Sequence, residues 1–291
     1  MITDFFKLSL NSLRKRKLRS SLTMLGIIIG IAAVVSLISL GNGLQQAITG
    51  QFDTLSADKL TIQNAGTGFG PPGSTVVKKL NKHDVDVIKR VGGVQEVVPR
   101  LIRVAKVEFN KNVNYFYLAD VPEEKNLQKI IYDATNIKLE DGRLLESGDK
   151  GKVILGSEIA KQESFDKQIK VGNNIIIQGK SFQVIGILKP ASSFQINSVV
   201  LMPTEDMKSL LNIGDEVDLI VAQVDENNAE QIAEKIKQDL RRDRGEKVGE
   251  ETFSVQTPVQ AISSVNTILN IINLIVTGIA AISLVIRYLR K

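Results

Sequence analysis

The sequence has no cysteine and only one histidine, His83, among its 291 residues. Without cysteine the chain has no disulfide bond, no cysteine nucleophile and no thiolate metal site. A single histidine, with no closely spaced set of oxygen ligands, predicts neither a zinc site nor a calcium site. His83 precedes Asp84 in a predicted helix, where adjacent side chains point to different faces, so we interpret it as a solvent-exposed residue.

The sequence also lacks the motifs of phosphate binding and nucleophilic catalysis. Its one glycine-rich stretch, residues 64–75, contains Pro71 and Pro72 but no Gly-Lys-Ser/Thr. This stretch therefore predicts a flexible hairpin tip and not a phosphate loop. No serine stands in a nucleophile-elbow pattern. We expect no enzyme activity, no catalytic residue, no metal site and no cofactor.

What the sequence does contain is two long runs without charge. Residues 22–40 and 268–286 each hold nineteen residues free of Asp, Glu, Lys, Arg and His. As helices they would each be about 28 Å long, which matches the hydrocarbon core of a bilayer. We predict transmembrane helices at 18–42 and 261–287, one on each side of the large central region.

Basic residues flank both runs on the same side. The first twenty residues carry a net charge of +5 and the tail after residue 286 carries +3, which leaves −3 for the rest. A nucleic-acid-binding protein would carry its basic surplus on the folded domain, so we expect no nucleic-acid partner. The positive-inside rule predicts a multi-pass cell-membrane protein with both termini cytoplasmic, a cytoplasmic tail at 288–291 and an extracytoplasmic domain at 43–260. The residues that set this orientation are Arg14, Lys15, Arg16, Lys17 and Arg19.

The N-terminus before the first run also predicts contact with the membrane. Apolar residues recur in residues 1–17 at three- and four-residue intervals, which indicates an amphipathic entry helix on the lipid surface at the cytoplasmic face. A cleaved signal peptide is the alternative interpretation of the first run. Its apolar stretch would be shorter and a small-residue cleavage pattern would follow, so we interpret the run as an uncleaved anchor.

Small and amide residues inside the runs predict helix packing. Gly26 and Gly30 lie four apart, on one face of the first predicted helix, and would let another helix approach closely. Asn270 and Asn273 are costly in lipid unless they face another helix or water. Gly278, on the same predicted helix, would permit close approach. We expect these five residues to lie at helix contacts.

The central region alternates strand-like and helix-like segments. Asn81 and Thr204 are predicted helix N-caps, because each precedes a helical pattern. Hairpin turns are predicted at residues 110–112 and 179–180.

Two apolar segments, VQEVVPRLIRVAKVEFN and EVDLIVAQV, each predict one continuous strand. The helix-like and strand-like segments together predict a mixed α+β domain rich in antiparallel pairs.

Several stretches, in their order along the chain, resemble the MacB/FtsX family of ABC transporter permease subunits. The first is the basic entry and apolar run SLRKRKLRSSLTMLGIIIGIAAVVSLISLGNGLQQ. The next two are DGRLLESGDKGKVILGSEIAKQ and VGNNIIIQGKSFQVIGILKP, and the later landmarks are VVLMPTEDMKSLL and VQAISSVNTILNIINLIVTGIAAISLV. The resemblance covers nearly the whole chain, and its specificity lies in the order and spacing of these stretches.

The resemblance implies an α+β membrane protein whose two transmembrane helices flank a two-lobed extracytoplasmic domain, with a β-rich lobe inserted at about 130–200. It also implies a cytoplasmic ABC ATPase as partner and assembly as a homodimer or with a partner permease half. In this family, ATP hydrolysis moves the outer domain, a process called mechanotransmission, to export or extract a peptide, lipoprotein or drug.

The sequence departs from the family pattern because it ends at LVIRYLRK, directly after the second of the family's four spans. A shortened chain, a gene fragment and one half of a split permease are all compatible with this. The alternative function is a two-span sensor or binding module without transport activity. A sensor would carry a cytoplasmic output domain, and only residues 287–291 follow the second run.

Overall fold

The computed structural model describes residues 58–65, 78–191 and 193–260, with scattered helical positions between 28 and 43 and between 263 and 278. The chain divides into two compact units, Met1–Thr49 with Ile262–Lys291 and Gly50–Ala261. The elements below belong to the second unit. Among the described residues, no helix is both long and apolar enough to cross a bilayer.

The described strands and helices alternate along the chain. The strands are β1 (Lys59–Asn64), β2 (Leu80–Asn81), β3 (Val94–Arg100), β4 (Ile102–Phe109), β5 (Asn112–Val121), β6 (Leu139–Gly142), β7 (Lys152–Leu155), β8 (Asn174–Ile177), β9 (Lys180–Leu188), β10 (Val199–Pro203), β11 (Glu216–Val217), β12 (Leu219–Val224) and β13 (Phe253–Gln256). The helices are α1 (Lys82–Lys89), α2 (Lys125–Thr135), α3 (Ser157–Ala160), α4 (Gln162–Phe165), α5 (Phe194–Asn197), α6 (Thr204–Leu211) and α7 (Ala229–Arg244). The predicted mixed α+β fold is confirmed for this part of the chain.

The first lobe is an antiparallel sheet with the strand order β13-β1-β12-β3. Helices α1 and α7 cover one face and share an apolar core with it. The short β2–β11 ribbon belongs to the same lobe, because Leu80 and Val217 enter that core. We call these strands and helices the sheet lobe. Helix α2 packs Ile130 and Ile131 against Val98 of β3.

The two helices of the sheet lobe form for reasons visible in the sequence. Asn81 caps α1 as predicted: its Oδ1 accepts from the Asp84 N–H (3.1 Å), and the Asp84 carboxylate accepts from the Asn81 N–H (2.8 Å). Helix α7 buries Ile232, Ile236 and Leu240, which recur every four residues and so form one apolar stripe.

The second lobe, which we call the barrel lobe, contains strands β4 to β10. Strands β9, β7, β10, β5, β4 and β8 follow one another around a closed ring, because β8 pairs with both β4 and β9. Strand β6 pairs with the C-terminal part of β9. The ring encloses an apolar core. Phe165 of α4 lies in this core, with its ring centroid 6.0 Å from that of Phe109 and 5.8 Å from that of Phe116.

Both predicted hairpins are confirmed. The β4–β5 turn places Asn110 and Lys111 at φ 49° and 66°, and the β8–β9 turn places Gln178 and Gly179 at φ 48° and 82°. Two consecutive positive φ values are typical of the tight turns that match the twist of paired strands.

The structure divides each of the two segments that predicted one continuous strand. The first breaks at Leu101, so that β3 belongs to the sheet lobe and β4 to the barrel lobe; the second breaks at Asp218. The strands of the barrel lobe span residues 102–203, so the lobe begins well before the predicted residue 130. Thr204 is not the N-cap of α6, which is Pro203.

Candidate functional site

The chain passes from the sheet lobe to the barrel lobe at Leu101, which connects β3 to β4. It returns between α6 and β11, and Asp218, between β11 and β12, lies beside Leu101 because β12 pairs with β3. The Asp218 N–H donates to the Arg100 carbonyl oxygen (3.0 Å), so the two points are held side by side. Charged side chains converge there. We call this set the junction; its members are Lys79, Arg100, Arg103, Asp120, Thr204, Glu216 and Asp218.

Asp120 at the end of β5 fastens the first crossing. Its side chain is 1% exposed, and its Oδ1 accepts from Nε of Arg100 (2.9 Å) and from the Leu101 N–H (2.9 Å). Its Oδ2 accepts from the Thr204 hydroxyl (2.7 Å). Nη2 of Arg100 also donates to the Asp120 carbonyl oxygen (2.6 Å). The guanidinium thus binds one residue through two donors, one to its carboxylate and one to its backbone carbonyl, and this fixes the orientation of the Arg100 side chain at the end of β3.

Asp218, between β11 and β12 of the sheet lobe, fastens the same crossing from the other side. This carboxylate is 0% exposed; one oxygen accepts from the Ile102 N–H (2.9 Å) and the other forms an ion pair with Arg103. Burial raises the pKa of Asp218, while Arg103 and the Ile102 N–H oppose that rise. The charge of this buried carboxylate therefore depends on a cation from the barrel lobe.

Glu216 extends the junction toward the β2–β11 ribbon. Its Oε2 accepts from Nη2 of Arg103 (3.0 Å) and from Nζ of Lys79 (2.7 Å). The Lys79 ammonium, followed by the Arg103 guanidinium, holds the pKa of Glu216 below its usual range. Arg103 thus contacts two carboxylates of the sheet lobe at once.

Arg244, at the end of α7, connects the junction to the rest of the sheet lobe. Its side chain is buried and makes two bonds to Asp84, each 2.9 Å. It also donates to the Lys79 carbonyl oxygen (2.8 Å) and lies 5.7 Å from the ring centre of Phe253 in β13. Since the Lys79 side chain binds Glu216, polar contacts run without a break from α1, α7 and β13 to the barrel lobe.

This arrangement can fix geometry but offers no evident covalent chemistry. The junction pairs each carboxylate with cations or N–H donors, and its one hydroxyl donates to a carboxylate instead of facing a base. The described residues contain no group of three or more His, Cys, Asp or Glu side chains that could hold a metal ion. His83 is exposed and lies 3.0 Å from Asp243, whereas Asp84 binds Arg244, so the adjacent pair is separated as expected.

Most residues predicted for helix packing and topology lie outside the described part of the chain. This holds for Gly26, Gly30 and Asn273, and for the basic residues at 14–17 and 19. Asn270 and Gly278 are described and helical; Asn270 is exposed, and a Cβ added to Gly278 would have no atom within 4 Å. Their role in packing stays a prediction.

The junction residues were not predicted, although the sequence carries a signal for them. Arg100, Asp120 and Asp218 stand inside or at the end of apolar strand segments, in VVPRLIRV, YFYLADV and EVDLIV. A charged residue in such a segment requires a partner, because burying it alone is costly. The sequence therefore shows that a partner is required, and only the fold identifies which residue it is.

The fold defines a class, that of two-lobed α+β domains. Comparison with known proteins makes this specific. The family described as MacB-like periplasmic core domain matches residues 20–239. The chain belongs to this family and is an ABC transporter permease of MacB type. It is accordingly a membrane protein with an extracytoplasmic domain.

Two relatives align over nearly all of the chain. An uncharacterized ABC transporter permease of Methanocaldococcus jannaschii is 32% identical over 98% of this chain and 69% of its own length. The macrolide export ATP-binding/permease protein MacB of Aggregatibacter actinomycetemcomitans is 28% identical over 98% of this chain and 44% of its own length. The chain therefore spans about two thirds of the first relative and less than half of the second.

Solved structures agree on the fold. The periplasmic region of MacB from Actinobacillus actinomycetemcomitans matches with a TM-score of 0.56 and 21% identity, over 74% of this chain and 95% of that region. The extracellular domain of the noncanonic ABC-type transporter YknZ from Gram-positive bacteria matches with a TM-score of 0.50 and 17% identity, over 68% of this chain and 100% of that domain.

Proposed function

We propose that this chain is the permease subunit, or the N-terminal half of one, of a MacB/FtsX-type ABC transporter. It couples ATP hydrolysis by a cytoplasmic ATPase to movement of its extracytoplasmic domain, which exports or extracts a peptide, lipoprotein or drug. The observation that carries the proposal is the alignment of 98% of the chain with a permease and with a combined ATP-binding/permease protein.

The ends of the extracytoplasmic domain support a mechanical role. Strand β1 begins and strand β13 ends on the same side of the sheet, because Thr61 pairs with Gln256. A helix starts directly after β13: Thr257 and Gln260 bond reciprocally across Pro258, as in a capping box. Strand β1 follows the predicted span at 18–42 and strand β13 precedes the predicted span at 261–287, so the two spans connect to neighbouring strands. Movement of either span would therefore move both strands.

The remaining features of the proposal are supported by the pattern of charged, apolar and small residues in the sequence. Both termini are cytoplasmic, the two runs span the membrane, and lipid surrounds them. The chain assembles as a homodimer or with a partner permease half, through faces that contain Gly26, Gly30, Asn270, Asn273 and Gly278. It has no catalytic activity of its own, since the ATPase supplies the chemistry.

Recovery of partners from native membranes tests the proposal. The chain is tagged in its own host, extracted in mild detergent, purified and analysed by mass spectrometry, with untagged membranes as control. We expect an ABC ATPase to be enriched, and a further permease chain if the transporter is split. Recovery of the intact, folded chain without any ATPase would contradict the proposal and favour a membrane-anchored binding module.

A further inference from the structure

We propose that Arg103 and Asp218 are positioning residues that lock the sheet lobe and the barrel lobe into one rigid body. The lock rests on the proposed function, because its use is to deliver movement of β1 and β13 to the barrel lobe. It adds to that function a specific pair of side chains and a specific place in the fold.

The chain crossings alone would not hold the lobes in one orientation. A single residue, Leu101, separates β3 of the sheet lobe from β4 of the barrel lobe, and the chain returns through residues 212–215, between α6 and β11. The first crossing leaves only the backbone dihedrals of one residue between two packed bodies, which is the geometry of a hinge. The orientation therefore depends on contacts beside the crossings, which are the side chains of the junction and the packing of α2 against β3.

The bridging side chains come from both lobes. Arg103 lies on β4 of the barrel lobe, whereas Asp218 and Glu216 belong to the sheet-lobe side. Asp218 has no exposed surface and Arg103 is 20% exposed, so water competes little for this pair. The Ile102 N–H, also from the barrel lobe, donates to the same carboxylate. Rotation of one lobe against the other would break these contacts together and leave a buried carboxylate unpaired.

The barrel lobe offers a matched control for the chemistry of this pair. Arg143 binds Asp149 through two contacts, of 2.7 Å and 2.9 Å, and Asp149 is 7% exposed. Both residues lie between β6 and β7, within one lobe. Loss of Arg143 should therefore destabilise the protein without changing the orientation of the lobes.

The absence of cysteine allows a direct measurement of lobe orientation. Two cysteines introduced at exposed positions, Gln238→Cys on α7 and Lys167→Cys in the barrel lobe, would be the sole sites for spin labels in the full chain in detergent. Pulsed electron paramagnetic resonance then gives the distribution of distances between the lobes. A second pair within the barrel lobe, Lys111→Cys with Ser147→Cys, reports on the integrity of that lobe.

We expect Arg103→Gln to broaden the distribution between the lobes about twofold while leaving the distribution within the barrel lobe unchanged. The width of the distribution for Arg103→Lys should lie between those of the parent and of Arg103→Gln, because lysine keeps the charge but loses the planar donor geometry of the guanidinium. Arg143→Gln should leave the distribution between the lobes as in the parent. Where Arg103→Gln fails to fold, Asp218→Asn, which keeps an acceptor for Ile102, is measured in its place.

The lock would be overturned if the distribution of distances between the lobes stayed as narrow in Arg103→Gln and Asp218→Asn as in the parent. Equal broadening by Arg143→Gln would also overturn it, because a general loss of stability would then explain the effect. Recovery of the ATPase with each variant is scored separately. A broadened distribution in Arg103→Gln, with the ATPase still recovered, supports both proposals. If the distribution broadens but no ATPase is recovered even with the parent chain, the lock is supported and the transporter is rejected.

Discussion

The barrel lobe and the sheet lobe hold their strands in place by different means. In the barrel lobe every strand of the ring pairs with at least two neighbours, and the interior is apolar. Among the described strands of the sheet lobe, β13 and β3 lie at the edges of the sheet and pair with one neighbour each. There a buried guanidinium, that of Arg244, contacts α1, the start of β2 and β13. The difference indicates that closure stabilises one lobe through backbone pairing, whereas the other depends on a few side-chain contacts.

Loss of Arg244 should therefore have the largest effect of any single substitution in the sheet lobe. Arg244→Met removes both bonds to Asp84 and leaves that buried carboxylate without its cation, which costs about 3–5 kcal/mol of the free energy of unfolding. Urea unfolding of the purified chain, followed by circular dichroism, measures the loss. Arg242→Gln is the control: this side chain is 82% exposed, 3.8 Å from Asp239, and should cost about 0.5 kcal/mol or less. Equal losses would mean that the buried contacts of Arg244 do not stabilise the lobe.

The stability of the barrel lobe should be most sensitive to substitution where two backbone segments are in close contact. Gly142 has φ 79°, and a Cβ there would overlap the Ile185 carbonyl oxygen and lie 2.9 Å from Cα of Gly186. Gly142→Ala should cost about 2–4 kcal/mol, since it adds overlap to backbone strain. Gly148→Ala, at φ 84° with no atom within 4 Å, carries the strain alone and should cost about 1 kcal/mol. Thermal unfolding of both variants compares them, and a smaller loss for Gly142 would argue against the β6–β9 pairing.

The contributions of two aspartates to the free energy of unfolding should change with pH in opposite directions. Hydrogen bonds from Arg143 hold the pKa of Asp149 well below its usual range, so its contribution is present above about pH 4 and lost as pH falls toward the folded-state pKa. Burial raises the pKa of Asp218, so the cost of its charge is relieved as pH falls through that raised value toward about 4. The prediction compares Asp149→Asn and Asp218→Asn with the parent.

The measurement is the free energy of unfolding in urea between about pH 7 and pH 3. At neutral pH, Asp149→Asn should cost about 1–3 kcal/mol, and its deficit relative to the parent should shrink on acidification. The parent should instead gain stability relative to Asp218→Asn over the upper part of that range. Parallel pH curves for the two variants would contradict the assigned environments.

A smaller effect than those at Arg244 and Gly142 is expected at Thr204, where the structure corrected the predicted cap. Its hydroxyl donates to Oδ2 of Asp120 across the junction. Thr204→Val should cost about 1.5 kcal/mol, because it leaves a buried carboxylate oxygen without its donor, while Thr204→Ser should keep most of the stability. Chemical unfolding of the two variants separates them. A loss shared equally by valine and serine would indicate that the methyl group, not the hydroxyl, matters.

Local features of the fold could be predicted from the sequence, because they depend on neighbouring residues. The stripe on α7, the Asn81 cap and the two hairpin turns each follow from a few adjacent side chains. The breaks at Leu101 and Asp218 could not be predicted in this way. An apolar strand pattern continues through both points, so nothing local distinguishes one long strand from two strands in different sheets.

The closure of the barrel and the partners of the junction are likewise non-local. The parallel pairing of β10 with β5 and the contact of Arg103 with Asp218 each join residues that are distant in the chain. Charge inside an apolar segment indicated that partners exist, but only the fold supplies them. The junction was therefore missed as a site even though Arg100, Asp120 and Asp218 were unusual for their segments.

The pairing of Arg100 with Leu219 has a consequence for how such domains diversify. Everything between those two residues leaves and re-enters the sheet at a single point. A segment whose ends are neighbours can be shortened, enlarged or exchanged without rebuilding its host, which is how inserted domains are accommodated. The sheet lobe can therefore keep its fold while the barrel lobe, which lies between Arg100 and Leu219 along the chain, changes in length or sequence.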